Sequence, residues 1–191
     1  MPKVETFDRE QVMDRIMTRF WERGFHGTSM QDIVDVSGLN RSSIYNSFGD
    51  KFRLYLESLK HYRKRFQAPA FEKLRKLDPK MALRVFYEDV IHSIEDHTNE
   101  RGCLITNCTT ELINQNKEID AYVAQSVSDT RDFFRELILI GKEQGEFPCD
   151  MDVEQTVLYL YSSLLGLRVT AMQISSKEAI QAVIDKILKN I

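Results

Sequence analysis

The chain has 191 residues, of which 42% are hydrophobic and 29% are charged, and its formal net charge is -3. This composition is typical of a globular protein and excludes a largely disordered chain. There is neither an apolar run near 18 residues nor a signal-peptide pattern, so we expect no membrane span and no secretion. Three cysteines are too few and odd in number for a disulfide framework, which favours a reducing, cytoplasmic setting.

The small net charge conceals an uneven distribution. Residues 1–65 contain 12 basic and 9 acidic side chains, whereas the remaining 126 contain 14 basic and 20 acidic ones. Between positions 40 and 65 there are seven basic and two acidic residues, a pattern typical of a phosphate-binding surface. The run from His61 to Arg65 supplies much of this excess, although a solvated helix face explains that run as well.

The first predicted helix extends from Asp8 to about Arg23. Asp8 and Gln11 have capping spacing, and apolar residues then recur every three to four positions, as on the buried face of a helix. Gly24 should end this helix, and Phe25 should fold back onto the same core.

Two short helices separated by a tight turn are predicted next. Thr28 and Gln31 have the spacing of a capping box, and Gly38 is suited to the left-handed conformation that ends a helix. Asn40 is a good N-cap for a second helix from about Arg41 to Phe48. This order of helix, turn and helix predicts a helix-turn-helix.

The second of these helices has two different faces. Ile44 and Phe48 are four residues apart and should face the core, which leaves small and polar side chains outside. A major groove about 12 Å wide admits a helix whose side chains are short, and Arg and Asn can contact base edges there. The pattern therefore predicts a DNA-reading helix, with an ordinary corner between packed helices as the alternative.

The same stretch resembles the N-terminal domain of the tetracycline-repressor (TetR) family of transcriptional regulators over about the first sixty residues. The matching residues are Gly24-Phe25, Thr28-Ser29, Ile33, Ser37-Gly38-Leu39, Ser43-Ile44-Tyr45, Phe48, Asp50-Lys51 and Leu54. The sequence departs from many members at Ser42, where a small residue or glycine is common, and at Asn46 and Ser47, where an aromatic residue or His is common. The operator therefore cannot be taken from a relative.

The resemblance implies DNA-backbone contacts from Thr28, Tyr45 and Lys51, and base contacts from within residues 41–47. The full predicted DNA-binding set is Thr28, Ser29, Asn40, Arg41, Ser42, Ser43, Tyr45, Asn46, Ser47 and Lys51.

A longer helix should begin at Asp50 and connect two domains. Pro69 must end or kink it, and Asp78-Pro79 is a strong signal for a new helix start. We predict a DNA-binding domain over residues 1–50 and an effector-binding and dimerisation domain over residues 51–191, with the connecting helix at about 50–76 shared. The fold class is all-α.

Five further helices are predicted, at 79–98, 102–115, 117–144, 152–173 and 176–190, the last one capped by Ser175 and Glu178. The helix at 152–173 is apolar on nearly all sides, which indicates burial on nearly all sides. We assign part of the last two helices to a two-fold homodimer contact, as the resemblance also implies, with packing inside one protomer as the alternative. The predicted interface residues are Leu160, Leu164, Leu167, Ile180, Val183, Ile184 and Ile187.

Regulation is expected in the larger domain. The resemblance implies a cavity for a small-molecule effector, which we expect to be mainly apolar, although cap and loop chemistry explains the polar residues near position 107 equally well. The candidate pocket residues are Cys103, Asn107, Glu111, Tyr122, Ser126, Tyr161 and Arg168. An alternative makes Cys103 a thiol sensor of oxidants or electrophiles, because a preceding Arg and a helix N-terminus favour thiolate, with Cys108 as a possible resolving partner.

Catalysis has little support. The sequence contains no Gly-x-Ser-x-Gly, His-Glu-x-x-His, phosphate-binding glycine loop or CxxC, and its four histidines lack the spacing of a helical metal pair. We therefore expect no enzyme activity, no metal and no cofactor. An all-helical enzyme or an adaptor remains the alternative to a ligand-gated DNA-binding regulator.

Overall fold

A computed structural model describes residues 7–95 and 101–191 of the chain. The described ranges contain ten α-helices and one π-helical turn. The helices are α1 Arg9–Arg23, α2 Met30–Ser37, α3 Arg41–Phe48, α4 Lys51–Tyr62, α5 Ala68–Leu74, α6 Pro79–Glu95, α7 Leu104–Leu112, α8 Lys117–Glu143, α9 Val153–Ala171 and α10 Lys177–Lys189; the π-helical turn is Arg63–Gln67. The all-α prediction is confirmed. The predicted end of the sixth helix at position 98 lies outside the described residues.

Two helices begin at the predicted caps, Asp8 and Asn40. The carboxylate of Asp8 accepts the amide of Gln11 at 3.1 Å, and the side chain of Asn40 accepts the amide of Ser43 at 2.9 Å. Asp50 caps α4 in the same way, through the amide of Arg53. Each such acceptor satisfies one of the amides that have no partner in the first turn of a helix.

Two predicted caps were wrong by one residue. The capping box of α2 consists of Ser29 and Asp32, not Thr28 and Gln31. The hydroxyl of Thr28 instead donates to the carbonyl of Gly24 at 2.7 Å. At α10 the N-cap is Ser176, whose hydroxyl accepts the amide of Ala179, and not Ser175.

Proline changes the chain near position 69 without ending the helical backbone there. The π-helical turn precedes α5, whose second residue is Pro69. A π-turn lets a helix accommodate a residue that lacks an amide donor and that crowds the preceding turn. Pro79 is the first residue of α6, as its position after Asp78 predicted.

The chain forms two compact units. Unit 1 contains residues 1–67 and 104–123, and unit 2 contains residues 68–103 and 124–191. Segment 104–123, which includes α7, thus packs with the first 67 residues although it is joined at both ends to unit 2. These units are defined by compactness, whereas the boundary at residue 50 separates the expected DNA-binding and effector-binding roles. That boundary remains a prediction.

Each unit has its own apolar core. In unit 1, Ile16 and Phe20 of α1, Ile33 of α2, Ile44 of α3 and Tyr55 of α4 are fully buried. In unit 2, helices α5, α6, α8, α9 and α10 enclose an aromatic cluster in which the rings of Phe71 and Phe133 stack with centroids 4.3 Å apart. No helix within the described ranges combines the length and the apolar character needed to cross a membrane.

Candidate nucleic-acid interface

Helices α2 and α3 form the predicted helix-turn-helix. Gly38 ends α2 with a φ of 71° and a ψ of 10°, the left-handed conformation that glycine adopts at no steric cost. The turn directs α3 so that Ile44 and Phe48 are buried in the core of unit 1. One face of this short helix is therefore fixed by packing.

The opposite face of α3 is polar and open to solvent. Arg41, Ser42, Tyr45 and Asn46 are exposed, whereas Ser43 and Ser47 are partly covered. Apart from Tyr45 these outward side chains are either short or able to make bidentate contacts to base edges, as a helix in a major groove requires.

Arg9 supports α3 from α1, a role that we did not predict. Its guanidinium carbon lies 4.4 Å from the centre of the Phe48 ring, and Nη2 donates to the carbonyl of Ser47 at 3.2 Å. A cation at the C-terminal end of a helix is favoured by the helix dipole. No local sequence pattern indicates this contact, because Arg9 and Ser47 are 38 positions apart.

Lys51 lies beside the start of α2. Its ammonium is 4.3 Å from the centre of the Phe25 ring, a cation-π distance. Partial burial lowers the pKa of Lys51, and the carboxylates of Glu111 and Asp32 oppose that shift. Asp32 belongs to the capping box of α2, so Lys51, Phe25 and the first turn of α2 form one group.

Thr28 is the predicted DNA-binding residue that the structure supports least. Its side chain is fully buried, and its hydroxyl is engaged with the carbonyl of Gly24. The hydroxyl of Ser29 accepts the amide of Asp32 in the capping box, and Asn40 caps α3. These three residues hold the two helices in place, and their contact with DNA remains a prediction.

The basic run His61–Arg65, which spans the end of α4 and the start of the π-helical turn, is largely paired with acids of α1. Asp14 contacts both His61, at 2.7 Å, and Arg65, while Lys64 lies 3.0 Å from the carboxylate of Glu10. Burial tends to raise the pKa of Asp14, but the hydrogen bonds from His61 and Arg65 outweigh it and leave that pKa below its usual value. These charges tie the end of α4 and the π-helical turn to α1, so they are not part of the proposed phosphate-binding surface.

The predicted effector residues divide between the two units. Asn107, Glu111 and Tyr122 belong to unit 1, and Cys103, Ser126, Tyr161 and Arg168 belong to unit 2. Glu111 has a role that the sequence did not reveal: its carboxylate oxygens accept the backbone amides of Phe25 at 2.8 Å and His26 at 2.7 Å.

Three candidates in unit 2 are near one another. Burial raises the pKa of the half-buried Tyr161; nearby Cys103 raises it further, and Arg168 and Arg131 oppose the shift. Ser126 is almost completely buried. Cys103 and Arg168 thus both act electrostatically on the partly buried Tyr161.

The cysteines show little sign of thiolate chemistry. Cys103 and Cys108 are buried, and only Cys149 is exposed. Burial raises the pKa of the Cys108 thiol to about 11, so it is protonated at neutral pH. Among the described residues no group of three or more His, Cys, Asp or Glu side chains is arranged to hold a metal ion.

The predicted dimer residues require a correction. Leu160, Leu164, Leu167, Ile180, Ile184 and Ile187 are buried in the core of their own protomer, and only Val183 is exposed, at 43%. An apolar side chain already covered by its own chain has no surface left for a partner. The sequence showed that α9 and α10 are strongly apolar, but not which face each core residue occupies.

The outer face of α9 is also apolar. Leu158 and Val169 are exposed by 54% and 47%; they are eleven residues apart, about three helical turns, and so lie on one face. The buried residues Leu160, Leu164 and Leu167 occupy the other side of the helix. Two apolar faces explain why the sequence pattern shows no single stripe.

Family models and known proteins agree with this geometry. Residues 12–57 match the model of bacterial regulatory proteins of the tetR family, and residues 79–187 match the C-terminal domain of tetracyclin repressor-like proteins. The chain is 29% identical over 187 residues to YezE of Bacillus subtilis, an uncharacterized HTH-type transcriptional regulator, covering 97% of this chain and 96% of YezE. It is 25% identical over 185 residues to the HTH-type transcriptional repressor ComR of Escherichia coli, covering 95% and 87%.

Solved structures share the fold. A cysteine variant of the TetR-family regulator CifR, in complex with a 26-bp double-stranded operator DNA, matches with a TM-score of 0.86 over 98% of both chains at 22% identity. The C-terminal model alone spans more than half of the chain and the N-terminal model spans the helix-turn-helix. The chain therefore belongs to the TetR family of DNA-binding transcriptional regulators, which are not enzymes.

Proposed function

We propose that this regulator is a repressor that binds a near-palindromic operator as a homodimer and is released by a small-molecule effector. The observation that carries the DNA-binding part is the two-sided character of α3. Ile44 and Phe48 anchor the helix, so that Arg41 and Asn46 project from a fixed base toward solvent. Fixed side chains of this kind read base edges without first ordering the helix.

The roles within this surface follow from side-chain chemistry. Arg41 and Asn46 read bases, with Ser42, Ser43 and Ser47 allowing close approach to the groove. Tyr45 and Lys51 contact phosphates, because a hydroxyl and an ammonium position DNA without distinguishing its sequence. Thr28, Ser29 and Asn40 contribute by holding the helix ends.

A homodimer is supported by the outer face of α9. Leu158, Val169 and, on α10, Val183 are exposed apolar side chains in unit 2, and Leu165 is partly exposed between the first two. A two-fold dimer contact covers such a face with an identical one. Two recognition helices related by that axis then contact half-sites about one helical turn of DNA apart.

The effector site is proposed in unit 2, around Cys103, Tyr161 and Arg168. These residues combine an aromatic ring, a cation and buried surface, which suits a small and mainly apolar ligand with one polar group. A ligand that prefers the DNA-incompetent state by about 2–3 kcal/mol lowers operator affinity roughly 30- to 150-fold through linkage alone.

Binding to selected DNA tests the proposal. The purified protein is incubated with a random duplex library, and the enriched sequences are compared with the region upstream of its own gene by gel shift. We expect an enriched near-palindrome with two half-sites. Enrichment of a single unrepeated half-site would exclude the dimeric operator, and equal binding to all sequences would exclude base reading by α3.

The thiol-sensor alternative is tested by operator release. We expect mild peroxide or a quinone to release wild-type protein and Cys103→Ser to the same small extent, because Cys103 is only 6% exposed. Release of wild type alone would establish Cys103 as the sensor.

A further inference from the structure

Segment 104–123 contacts residues from the N-terminal part of its own unit, through Glu111, Cys108 and Tyr122. Glu111 of α7 accepts the amides of Phe25 and His26, and the thiol of Cys108 lies beside the buried hydroxyl of Tyr55 on α4. Tyr122, near the start of α8, lies 3.5 Å from the carbonyl of Leu59. Of the three, only the Glu111 contact joins a charged group to the loop between α1 and α2.

The backbone around Phe25 forms a carboxylate-binding nest. Gly24 has a φ of 71°, and the two amides that follow it point to the two oxygens of Glu111. Successive amides in such a turn make a concave site for an anion, and hydrogen bonds to a charged acceptor are the stronger kind.

Gly24 is required for the approach of Glu111 as well as for the turn. A Cβ at position 24 would lie 2.7 Å from one carboxylate oxygen of Glu111 and 2.9 Å from the other. Real Cβ atoms do not approach so closely, so any side chain at position 24 would displace the carboxylate. The glycine and the glutamate therefore act as a pair, although they are distant in sequence.

The nest is coupled to the DNA-contacting surface through Phe25. The Phe25 ring lies under the ammonium of Lys51 and stacks on Phe52 with centroids 4.6 Å apart. Three residues after His26, Ser29 begins the capping box of α2. Holding the amides of Phe25 and His26 in place thus also holds the Phe25 ring under Lys51 and the backbone that leads into α2.

We propose that Glu111 is a positioning residue for DNA binding: its carboxylate, held in the nest at Gly24–His26, keeps the loop between α1 and α2 and the Lys51 ammonium in the DNA-competent arrangement. Glu111 itself does not contact DNA. Its negative charge opposes DNA binding at long range, so its two effects have opposite signs and can be separated by experiment.

Charge-matched variants separate these effects. Glu111→Gln removes the charge and one acceptor oxygen, and Glu111→Asp keeps the charge but withdraws the carboxylate by roughly one C–C bond, about 1.5 Å. The exposed Glu118, in the same segment, provides the controls Glu118→Gln and Glu118→Asp. Operator affinity is measured by fluorescence anisotropy at one low salt concentration, below the melting temperature of each variant.

We expect both Glu111 variants to bind operator about tenfold more weakly than their Glu118 controls, within the range of ordinary coupling between sites. The amides of Phe25 and His26 should exchange hydrogen faster in these variants, while amides of the unit 1 core keep their protection. Folded Glu111 variants that bind as tightly as the controls, or more tightly, would overturn the proposal. Unchanged affinity is expected if Glu111 only stabilises the fold, and higher affinity is expected if only its charge matters.

A measurement on the wild type keeps the test decisive if a variant does not fold. Coupling is reciprocal, so if closure of the nest favours DNA binding, operator must in turn favour closure. Hydrogen exchange at Phe25 and His26 should then slow when operator is added, relative to an unrelated duplex at the same concentration. Unchanged exchange at these two amides would overturn the proposal.

Discussion

Helices α3 and α9 both have one face in a core and one face in solvent, but their outer faces differ in chemistry. The outer face of α3 is polar, with Arg41 and Asn46 exposed, whereas that of α9 carries exposed Leu158 and Val169. A polar face is stable in water without a partner. An exposed apolar face, in contrast, would gain about 25 cal/mol of stabilising free energy for each Å² that a partner covers.

The difference separates two kinds of recognition. The face of α3 is suited to a hydrated, charged and hydrogen-bonding partner, which duplex DNA is. The face of α9 is suited to an apolar partner of complementary shape, and a second copy of the chain supplies one by symmetry. Substitutions on the inner and outer faces of the two helices therefore have distinct expected effects.

The largest effect is expected on the inner face of α9. Leu164→Ala removes a side chain that is 2% exposed and leaves a cavity, which should lower the free energy of unfolding by about 2–5 kcal/mol. Urea denaturation measures this loss, which should be similar at every protein concentration. The outer-face control Val169→Ala should give a smaller loss that changes with protein concentration, because it acts through the dimer. Equal, concentration-independent losses would mean that Val169 faces no partner.

A charge on the outer face of α9 should separate the protomers. Val169→Glu places a carboxylate in the proposed dimer contact, where burial without a partner is costly. We expect a folded monomer by light scattering, with operator affinity reduced roughly 100- to 10,000-fold as the two half-sites become independent. Val85→Glu is the control, since Val85 is also an exposed valine of unit 2 but lies on α6. A dimeric Val169→Glu protein would place the interface elsewhere.

Local signals in the sequence predicted local structure well. Asp8 and Asn40 cap the helices that they were expected to cap, since a cap depends on residues three positions apart. At α2 and α10 two adjacent residues were each suitable as N-cap, and the second of each pair is the N-cap in the structure. At α2 the hydroxyl of Thr28 is already engaged with the carbonyl of Gly24, which leaves Ser29 to cap the helix.

Long-range features were not predictable in this way. The sequence placed Glu111 among pocket residues because it follows a run of polar and apolar side chains, but its partners are 85 and 86 positions away. The apolar residues of α9 likewise did not show which face of the helix lies in the core and which lies outside. Neither the partners of Glu111 nor the outer face of α9 was predictable, because periodicity describes one helix, whereas burial depends on which other helices pack against it.

Substitutions on the outer face of α3 should change sequence preference with little change in stability. Arg41→Ala or Asn46→Ala removes a base contact and should reduce discrimination by about 1–3 kcal/mol at one position of each half-site. Competition binding against operators with single base changes measures this. Arg53→Ala removes the same charge from α4 and should leave the order of preferred bases unchanged. If both α3 variants keep the wild-type preference at every position, base reading belongs to other residues.

The smallest effect is expected at Lys51, which positions DNA without reading it. If a dimer neutralises on the order of eight phosphates, log K should fall against log salt with a slope near -7, and removing one contact per protomer should make that slope shallower by roughly 1.8. Lys51→Ala should thus weaken binding to all DNA sequences about equally.

Lys51→Arg should restore the slope, because it keeps the cation over the Phe25 ring. Lys64→Ala is the control, since that ammonium is already paired with Glu10. If Lys64→Ala makes the slope shallower and Lys51→Ala leaves it unchanged, the phosphate contact belongs to the basic run His61–Arg65. A changed base preference in Lys51→Ala would mean that this residue, like those of α3, reads sequence.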